Sequence, residues 1–391
     1  MKMTGIVAEY NPFHNGHAAM IQQLRENGTT HVVCVMSPNF VQRGEPALLD
    51  KWARTQMALR CGADLIFELP TPWAMAAAET FAVGAVHLLD ALGCINTLAF
   101  GSECGDIPAL NRVAQALCSD AFAPALHKRL DGKLTFAVAR QRAVTALLGE
   151  HDARLLQQPN NILGIEYNKA LIKIKSNIKP ETIKRIGTEH DGTPNGAFCG
   201  ASYIREHLND KQLKYWVPSS VFALIKENQP ADIALGERAV LARLRSMQAD
   251  ELINLPDMGE GLHNRLIKQI KTAKSLQELF DTVKTKRYTH ARIRRLVWSA
   301  FLGITAADTA LPPPYLRLLG MNQGGRELLA TIKKTARLPL IAARAQISRL
   351  NGRAQAIFET ERRCSDLYGL FFDPIKPCGS EDTAQIIKME E

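Results

Sequence analysis

No two cysteines of this chain stand in a CxxC spacing. The eight present, Cys34, Cys61, Cys94, Cys104, Cys118, Cys199, Cys364 and Cys378, are scattered along 391 residues. That pattern argues against a zinc ribbon and a disulfide scaffold, and it suits a reducing, cytoplasmic setting. No run of 18 apolar residues occurs, so no transmembrane helix is expected. The first residues lack a basic stretch followed by an apolar one, so no signal peptide is expected either. Repeats and low-complexity tracts are missing. There is no GxxxxGK[ST], and Gly259-Glu260-Gly261 follows a loop and lacks a third glycine. The chain is therefore neither a P-loop protein nor a usual Rossmann dehydrogenase.

What is present is an ordinary globular composition, 46% hydrophobic and 22% charged, in a chain long enough for two or three domains. The net charge of +9 is uneven. Residues 1–100 carry 6 Lys and Arg against 8 Asp and Glu, whereas residues 261–300 carry 10 against 2. A near-neutral part is thus joined to a concentrated cationic one, which points to a phosphate-rich partner.

Short strand-like and helix-like stretches alternate in the first hundred residues. Strands are expected at 3–8, 31–36, 63–68, 96–100 and 181–186. Helices are expected at 15–26, at 50–61 with Asp50 as N-cap, and at 74–92. This alternation predicts an α/β fold with a Rossmann-like, doubly wound parallel sheet. Beyond about 215 the apolar spacing is three to four almost throughout, which predicts a mostly α-helical basic region. The expected division is 1–215, 216–375 and a loose tail, 376–391.

Ligands bind outside the carboxyl ends of the strands in such sheets. His14-Asn15-Gly16-His17 occupies that place after the first strand and opens a helix. Free N–H groups and the helix dipole make the spot an anion site. Two imidazoles there can donate to phosphate oxygens and stabilise charge developing during phosphoryl or nucleotidyl transfer. An HxxH metal site is the rival reading. Neither a third ligand nor an HExxH accompanies it, so no metal ligand is assigned. Polar turn residues without function are the other reading.

HxGH in this position is the signature of the nucleotidyltransferase and class I aminoacyl-tRNA synthetase superfamily. The segments GIVAEYNPFHNGH, NFVQRGEPALLDKW, GADLIFELP, LAFGSE, PNNILGIEY and TIKRIG occur in that order. Together they resemble the bacterial tRNA(Met) cytidine acetate ligases over roughly residues 1–205. KRYTHARIRR extends the likeness more weakly. The resemblance implies an HxGH nucleotidyltransferase-type catalytic domain followed by a tRNA-binding region. It implies activation of acetate with ATP to acetyl-adenylate, then transfer to N4 of the wobble cytidine of elongator tRNA(Met). Mg²⁺ is expected with the pyrophosphate, and no membrane or DNA partner is expected. The implied ATP contacts are Val7, Ala8, Glu9, Tyr10, Asn11, Pro12, Phe13, His14, Asn15, Gly16, His17, Ala18, Ala19 and Met20, then Gly101, Asn161, Arg185 and Ile186. His14 and His17 are the implied catalytic pair. Nucleotidyltransferases commonly carry a Ser-Ala-Thr-like segment before an Ile-Arg. Here it reads Gly200-Ala201-Ser202-Tyr203-Ile204-Arg205, which removes one hydroxyl. Two alternatives stand beside this reading: a cofactor-synthesising adenylyltransferase, and a non-catalytic RNA-binding protein with a vestigial nucleotide site.

Three further features carry expectations. Arg43, in the loop Asn39–Pro46, suits a phosphate or carboxylate, or else an ordinary Arg–Glu pair. Glu103 reads as a supporting residue or a helix N-terminal acid. Lys284, Lys286, Arg287, Arg292, Arg294 and Arg295, with Tyr288 and His290 between them, combine cations and rings as an RNA surface does.

Overall fold

A computed structural model describes residues 1–130, 134–185, 194–259 and 261–390. Its strands are β1 (Met3–Ala8), β2 (His31–Met36), β3 (Phe40–Val41), β4 (Glu45–Pro46), β5 (Leu65–Glu68), β6 (Thr97–Ser102), β7 (Lys179–Lys184), β8 (Leu316–Met321), β9 (Leu340–Ile341) and β10 (Ile387–Lys388). All but β3 and β4 form one sheet in the order β10-β8-β5-β2-β1-β6-β7, with β9 also on β8. The β5–β8 pair is antiparallel and the other pairs of this sheet are parallel.

Every residue of HVVCVM in β2 is buried. Val33 and Val35 face one apolar cluster, and Val32, Cys34 and Met36 face another. A strand covered on both faces reads as a continuous apolar run, as parallel sheets require. The first helix occupies Asn15–Glu26, as its spacing predicts. Asp50 accepts the Ala53 N–H at 2.9 Å and caps the helix Lys51–Arg60. The expected helix 74–92 divides into Thr71–Ala74 and Ala78–Ala91. The break leaves Met75 buried in the apolar cluster of the helical region. The last of the expected early strands lies at Lys179–Lys184, slightly before 181–186.

The C-terminal third departs from the expected run of helices. Helices do fill Ile233–Ser246, Leu262–Ile270, Leu276–Val283 and His290–Leu302 around Trp298 and Phe371, while the helix Ser219–Glu227 packs its Val221, Leu224 and Ile225 into the apolar cluster of the N-terminal sheet. The chain then returns to the N-terminal sheet as β8, every residue of which is buried. A six-residue stretch of mostly apolar residues interrupted by Arg317 cannot be told from a buried helical segment by periodicity, which is why this strand escapes the sequence reading. β9 covers the first half of its outer edge and β10 the second.

The last residues are not a loose tail. Glu381 is buried, and Lys51 reaches it at 2.6 Å and Glu68 at 3.0 Å. Arg317 of β8 lies against both carboxylates. A buried charge needs a partner, and here the partner of a helix near the N-terminus is supplied from beyond residue 376. No helix among the described residues is long and apolar enough to cross a membrane.

Candidate active site

β2 and β5 continue the sheet on one side of β1, and β6 and β7 on the other. The chain reverses between β1 and β6, so the crevice lies at their carboxyl ends. After β1 the chain turns sharply. Tyr10 adopts φ 48°. Tyr10 and Phe13 are buried, with their rings 4.8 Å apart, and anchor the turn in the core. His14 follows in extended conformation as the N-cap of the first helix.

The two histidines form a reciprocal cap. His14 Nδ1 accepts the Gly16 N–H at 3.1 Å, and His17 Nδ1 accepts the His14 N–H at 3.2 Å. The rings stack with centroids 3.7 Å apart. Burial and then Arg185 bring His14 down to about 3. Burial, His14 and Arg185 hold His17 well below the usual histidine range. Both rings are therefore neutral near pH 7. Because each Nδ1 is an acceptor, each proton resides on Nε2, which is left as a donor.

A cleft of about 570 Å³, open to solvent, lies over this helix start. His14, Gly16, His17, Ala19, Met20 and Gln23 line one wall; Gly101, Ile183, Lys184 and Arg185, with Phe198 and Cys199, line the rest. At Gly101 a Cβ would stand 3.3 Å from Arg185 Cγ, so glycine there gives the guanidinium its room. The donors are neutral imidazole N–H groups, helix N–H groups and a guanidinium. That set suits a polyanion. Among the described residues no group of three or more His, Cys, Asp or Glu side chains comes together to hold a metal ion.

Other expected contacts lie around the cleft. Ala8 and Pro12 are buried, Val7 packs against the core, and Ala18 packs on the core of the other sheet face. Asn11 Oδ1 accepts the Leu48 N–H at 2.7 Å. Asn15 donates to the carbonyls of Ala197 and Tyr215, tying the helix start to the segment beyond β7. Glu9 accepts the Gln42 N–H at 2.7 Å. Asn161 is wholly buried: its Oδ1 accepts the N–H groups of Glu103 and Cys104, and its amide donates to Gln158. Glu103 returns the contact by accepting from Asn160 and the Asn161 N–H. Glu103 is thus the helix N-terminal acid, and Asn161 fixes the loop that follows β6, the strand that carries Gly101. Ile186 lies outside the described residues. Phe198 and Cys199 escaped the sequence reading because a turn-rich loop has no periodicity to mark inward positions. Lys184 could have been found from its place at a strand end.

Arg43 donates to Ser202 Oγ at 2.7 Å, while Glu45 pairs with Arg205 at 2.8 Å. The Arg–Glu pair expected within the loop is therefore made with a different arginine. Gly44 has φ 73°, and a Cβ there would lie 2.5 Å from the Arg295 backbone nitrogen. The loop thus sits directly on the basic helix His290–Leu302.

The six basic residues do not share one environment. Lys284, Lys286 and Arg287 are exposed, and Arg292, Arg294 and Arg295 are half-buried. Arg292 donates to the Asp257 carbonyl, and Arg295 approaches the Asp257 carboxylate at 3.7 Å. Tyr288 is buried beneath Arg292, so the expected stackable ring is a packing residue instead.

The fold and the cleft define a nucleotidyl-transfer class, an α/β sheet with an HxGH helix start at its switch point. The family model for HIGH nucleotidyl transferases matches residues 1–382. A tRNA(Met) cytidine acetate ligase of Acetivibrio thermocellus is 36% identical, covering 100% of both chains. One of Caldanaerobacter subterraneus is 39% identical over 95% of this chain and 96% of its own. The crystal structure of apo Thermotoga maritima TmcAL aligns with TM-score 0.95 and 32% identity over 100% of both chains. The same protein bound with α-thio ATP aligns at TM-score 0.93. This chain belongs to the tRNA(Met) cytidine acetate ligase family of HIGH nucleotidyl transferases.

Proposed function

We propose that this protein is an ATP-dependent ligase that makes acetyl-adenylate and acetylates N4 of the wobble cytidine of elongator tRNA(Met). The observation that carries the reading is the stacked, neutral His14–His17 pair at a helix start facing Arg185 across a cleft. It occurs in a chain whose full-length relatives bear that ligase name and whose structural neighbour binds an ATP analogue.

Acetate is a resonance-stabilised anion, and the cytosine amine has its lone pair delocalised into the ring. Joining them needs a better acyl donor, and a mixed anhydride with AMP supplies it. In the first step an acetate oxygen attacks the α-phosphorus and pyrophosphate leaves. The Nε2–H groups of His14 and His17 and the N–H groups of the helix start receive the charge that grows on the phosphates. Arg185 holds the triphosphate from the opposite wall. Mg²⁺ has no carboxylate cage among the described residues. It fits better as an ion arriving on the ATP phosphates with several waters. In the second step N4 attacks the acetyl carbonyl and AMP leaves, with the tRNA held by the basic region near Lys284, Lys286 and Arg287. The setting is the cytoplasm.

The test is ATP–pyrophosphate exchange with and without acetate, followed by nucleoside analysis of tRNA from cells with and without the protein. Acetate-dependent exchange and protein-dependent N4-acetylcytidine are expected. A cofactor-synthesising adenylyltransferase would exchange only when given its own phosphorylated acceptor, with or without acetate, and an RNA-binding protein with a vestigial site would not exchange at all.

A further inference from the structure

Three carboxylates stand in the charged neighbourhood of the cleft. Glu103 is consumed by the helix it caps, through the Asn160 N–H, the Asn160 amide and the Asn161 N–H. Glu45 is held by Arg205 at 2.8 Å. Glu9 differs. It follows β1 directly, at the switch point of the sheet. Its Oε1 is fixed by the Gln42 N–H at 2.7 Å, and its second oxygen forms no hydrogen bond among the described residues. It belongs to the stretch expected to follow the nucleotide, yet a bare carboxylate is the wrong group for a triphosphate. Its use must lie elsewhere in the reaction.

Its surroundings show where. Arg43 acts through space on both Glu9 and Arg185, and Arg185 acts on both histidines. Glu9 is thus linked through two guanidiniums, Arg43 and Arg185, to the neighbourhood of the neutral imidazoles. The loop that fixes it, Gln42 to Glu45, is seated on the backbone of Arg294 and Arg295 through Gly44. Glu9 is outside the set of residues that line the cleft around the histidines, and through this loop it is joined to the basic helix, the side from which an RNA base would enter.

Resting on the ligase reading above, we propose that Glu9 receives the exocyclic amine of the cytidine and takes its proton during acetyl transfer. A carboxylate only accepts hydrogen bonds, and cytosine offers an amino donor at N4. Uracil offers a carbonyl oxygen at that position, which a carboxylate repels, so the contact also selects the base. In the step, the N4 lone pair forms a bond to the acetyl carbonyl carbon. The bond from that carbon to the AMP phosphate oxygen breaks, and AMP departs with its electron pair. One N4 proton passes to the unengaged oxygen of Glu9.

The charged and titratable groups facing Glu9 come from every side. They are Arg43 and Glu45 of the loop, Arg205 of the helix Ala201–Glu206, and Tyr167 of the helix Pro159–Lys173. Arg54 donates to the Glu9 carbonyl oxygen from the helix Lys51–Arg60. Burial raises the Glu9 carboxyl; the Gln42 N–H, Arg205 and Arg43 oppose the rise, and Glu45 adds to it. A carboxyl lifted this way suits a proton acceptor.

The experiment supplies chemically made acetyl-adenylate to the full-length enzyme with a full-length elongator tRNA(Met) transcript and follows N4-acetylcytidine against pH. Glu9→Gln is expected to slow transfer about 100- to 10,000-fold, the usual range for a lost general base. Its profile should lack the limb that rises with pH as the wild-type carboxyl ionises. Glu9→Asp should keep that limb at a lower rate. Transfer by Glu9→Gln at the wild-type rate, or with the wild-type limb intact, overturns the proposal. So does a fall in tRNA affinity that accounts for the whole loss. If the wild-type enzyme does not acetylate the tRNA from supplied acetyl-adenylate, the ligase reading itself fails.

Discussion

His14 performs two tasks with its two ring nitrogens, and substitution can separate them. Nδ1 accepts the Gly16 N–H at 3.1 Å and caps the first helix. Nε2–H is the donor left for a phosphate oxygen. His14→Ala removes both. Loss of the cap costs about 1 kcal/mol of stability. Loss of a preorganised donor to developing charge costs about 2.7–4 kcal/mol, or roughly 100–1,000-fold in rate. His14→Asn keeps a capping oxygen of suitable reach but has nothing that extends to the position of Nε2. Stability should therefore return in the Asn variant while activity stays low. Either change also removes the ring on which His17 stacks at 3.7 Å. His17 then loses its support, so the hundredfold figure is a floor. The assay is acetate-dependent ATP–pyrophosphate exchange, read beside chemical denaturation of the same preparations. His14→Asn exchanging at close to the wild-type rate would refute the donor role. Ala and Asn variants of equal stability would refute the cap.

Neutral donors also set a pH dependence. Exchange should not fall as pH rises through 6.5, the ordinary histidine value, because burial and Arg185 already keep His14 at about 3. A fall with an apparent pKa near that ordinary value would show that an imidazolium is needed. For stability the sign is opposite in direction: the unfolded chain takes up the proton first, so stability is fullest above 6.5 and declines as pH drops toward about 3. His14→Asn should flatten that decline in a denaturation series. On the basic surface, replacing Lys284, Lys286 and Arg287 together with alanine should reduce the log–log salt slope of tRNA binding by about 2–2.7, at 0.7–0.9 per phosphate. An unchanged slope would remove them from the interface. At the C-terminus, Glu381→Gln leaves Lys51 and Arg317 to share Glu68, and breaking a buried pair of this kind costs about 3–5 kcal/mol. Burial would raise the Glu381 carboxyl, but Lys51 and Arg317 prevail and hold it at about 2. Its contribution is therefore present above the ordinary carboxylate range and is lost as pH falls toward about 2. A denaturation midpoint unmoved by the substitution would contradict the network.

The first helix, the five early parallel strands and the HNGH at the switch point were legible because local rules govern them. An apolar run between turn signals marks a strand, three-to-four spacing marks a helix, and strand ends mark the crevice. The six-segment likeness to the acetate ligases was legible for the same reason, since it resides in short contiguous motifs. The individual roles within those motifs were not. Tyr10 and Phe13 sit in a stretch expected to meet ATP, yet they are anchors in the core. Asn161 was expected at the nucleotide, and its Oδ1 is spent accepting the N–H groups of residues 103 and 104. Whether a side chain points to a cleft or to a neighbouring loop depends on what packs beside it, and that neighbour is often a hundred residues away.

The sequence by itself determined the kind of chemistry and the place in the chain where it starts, because an anion-binding helix start needs only a strand, a turn and a cap in succession. Tertiary structure alone decided the return of Leu316–Met321 to the N-terminal sheet and the use of Glu381 to neutralise Lys51. It also decided the seating of Gly44 on the basic helix and the freedom of one oxygen of Glu9. Each of these is a pairing of residues far apart in sequence, fixed by burial of charge or by close packing of backbone, and no local pattern records it.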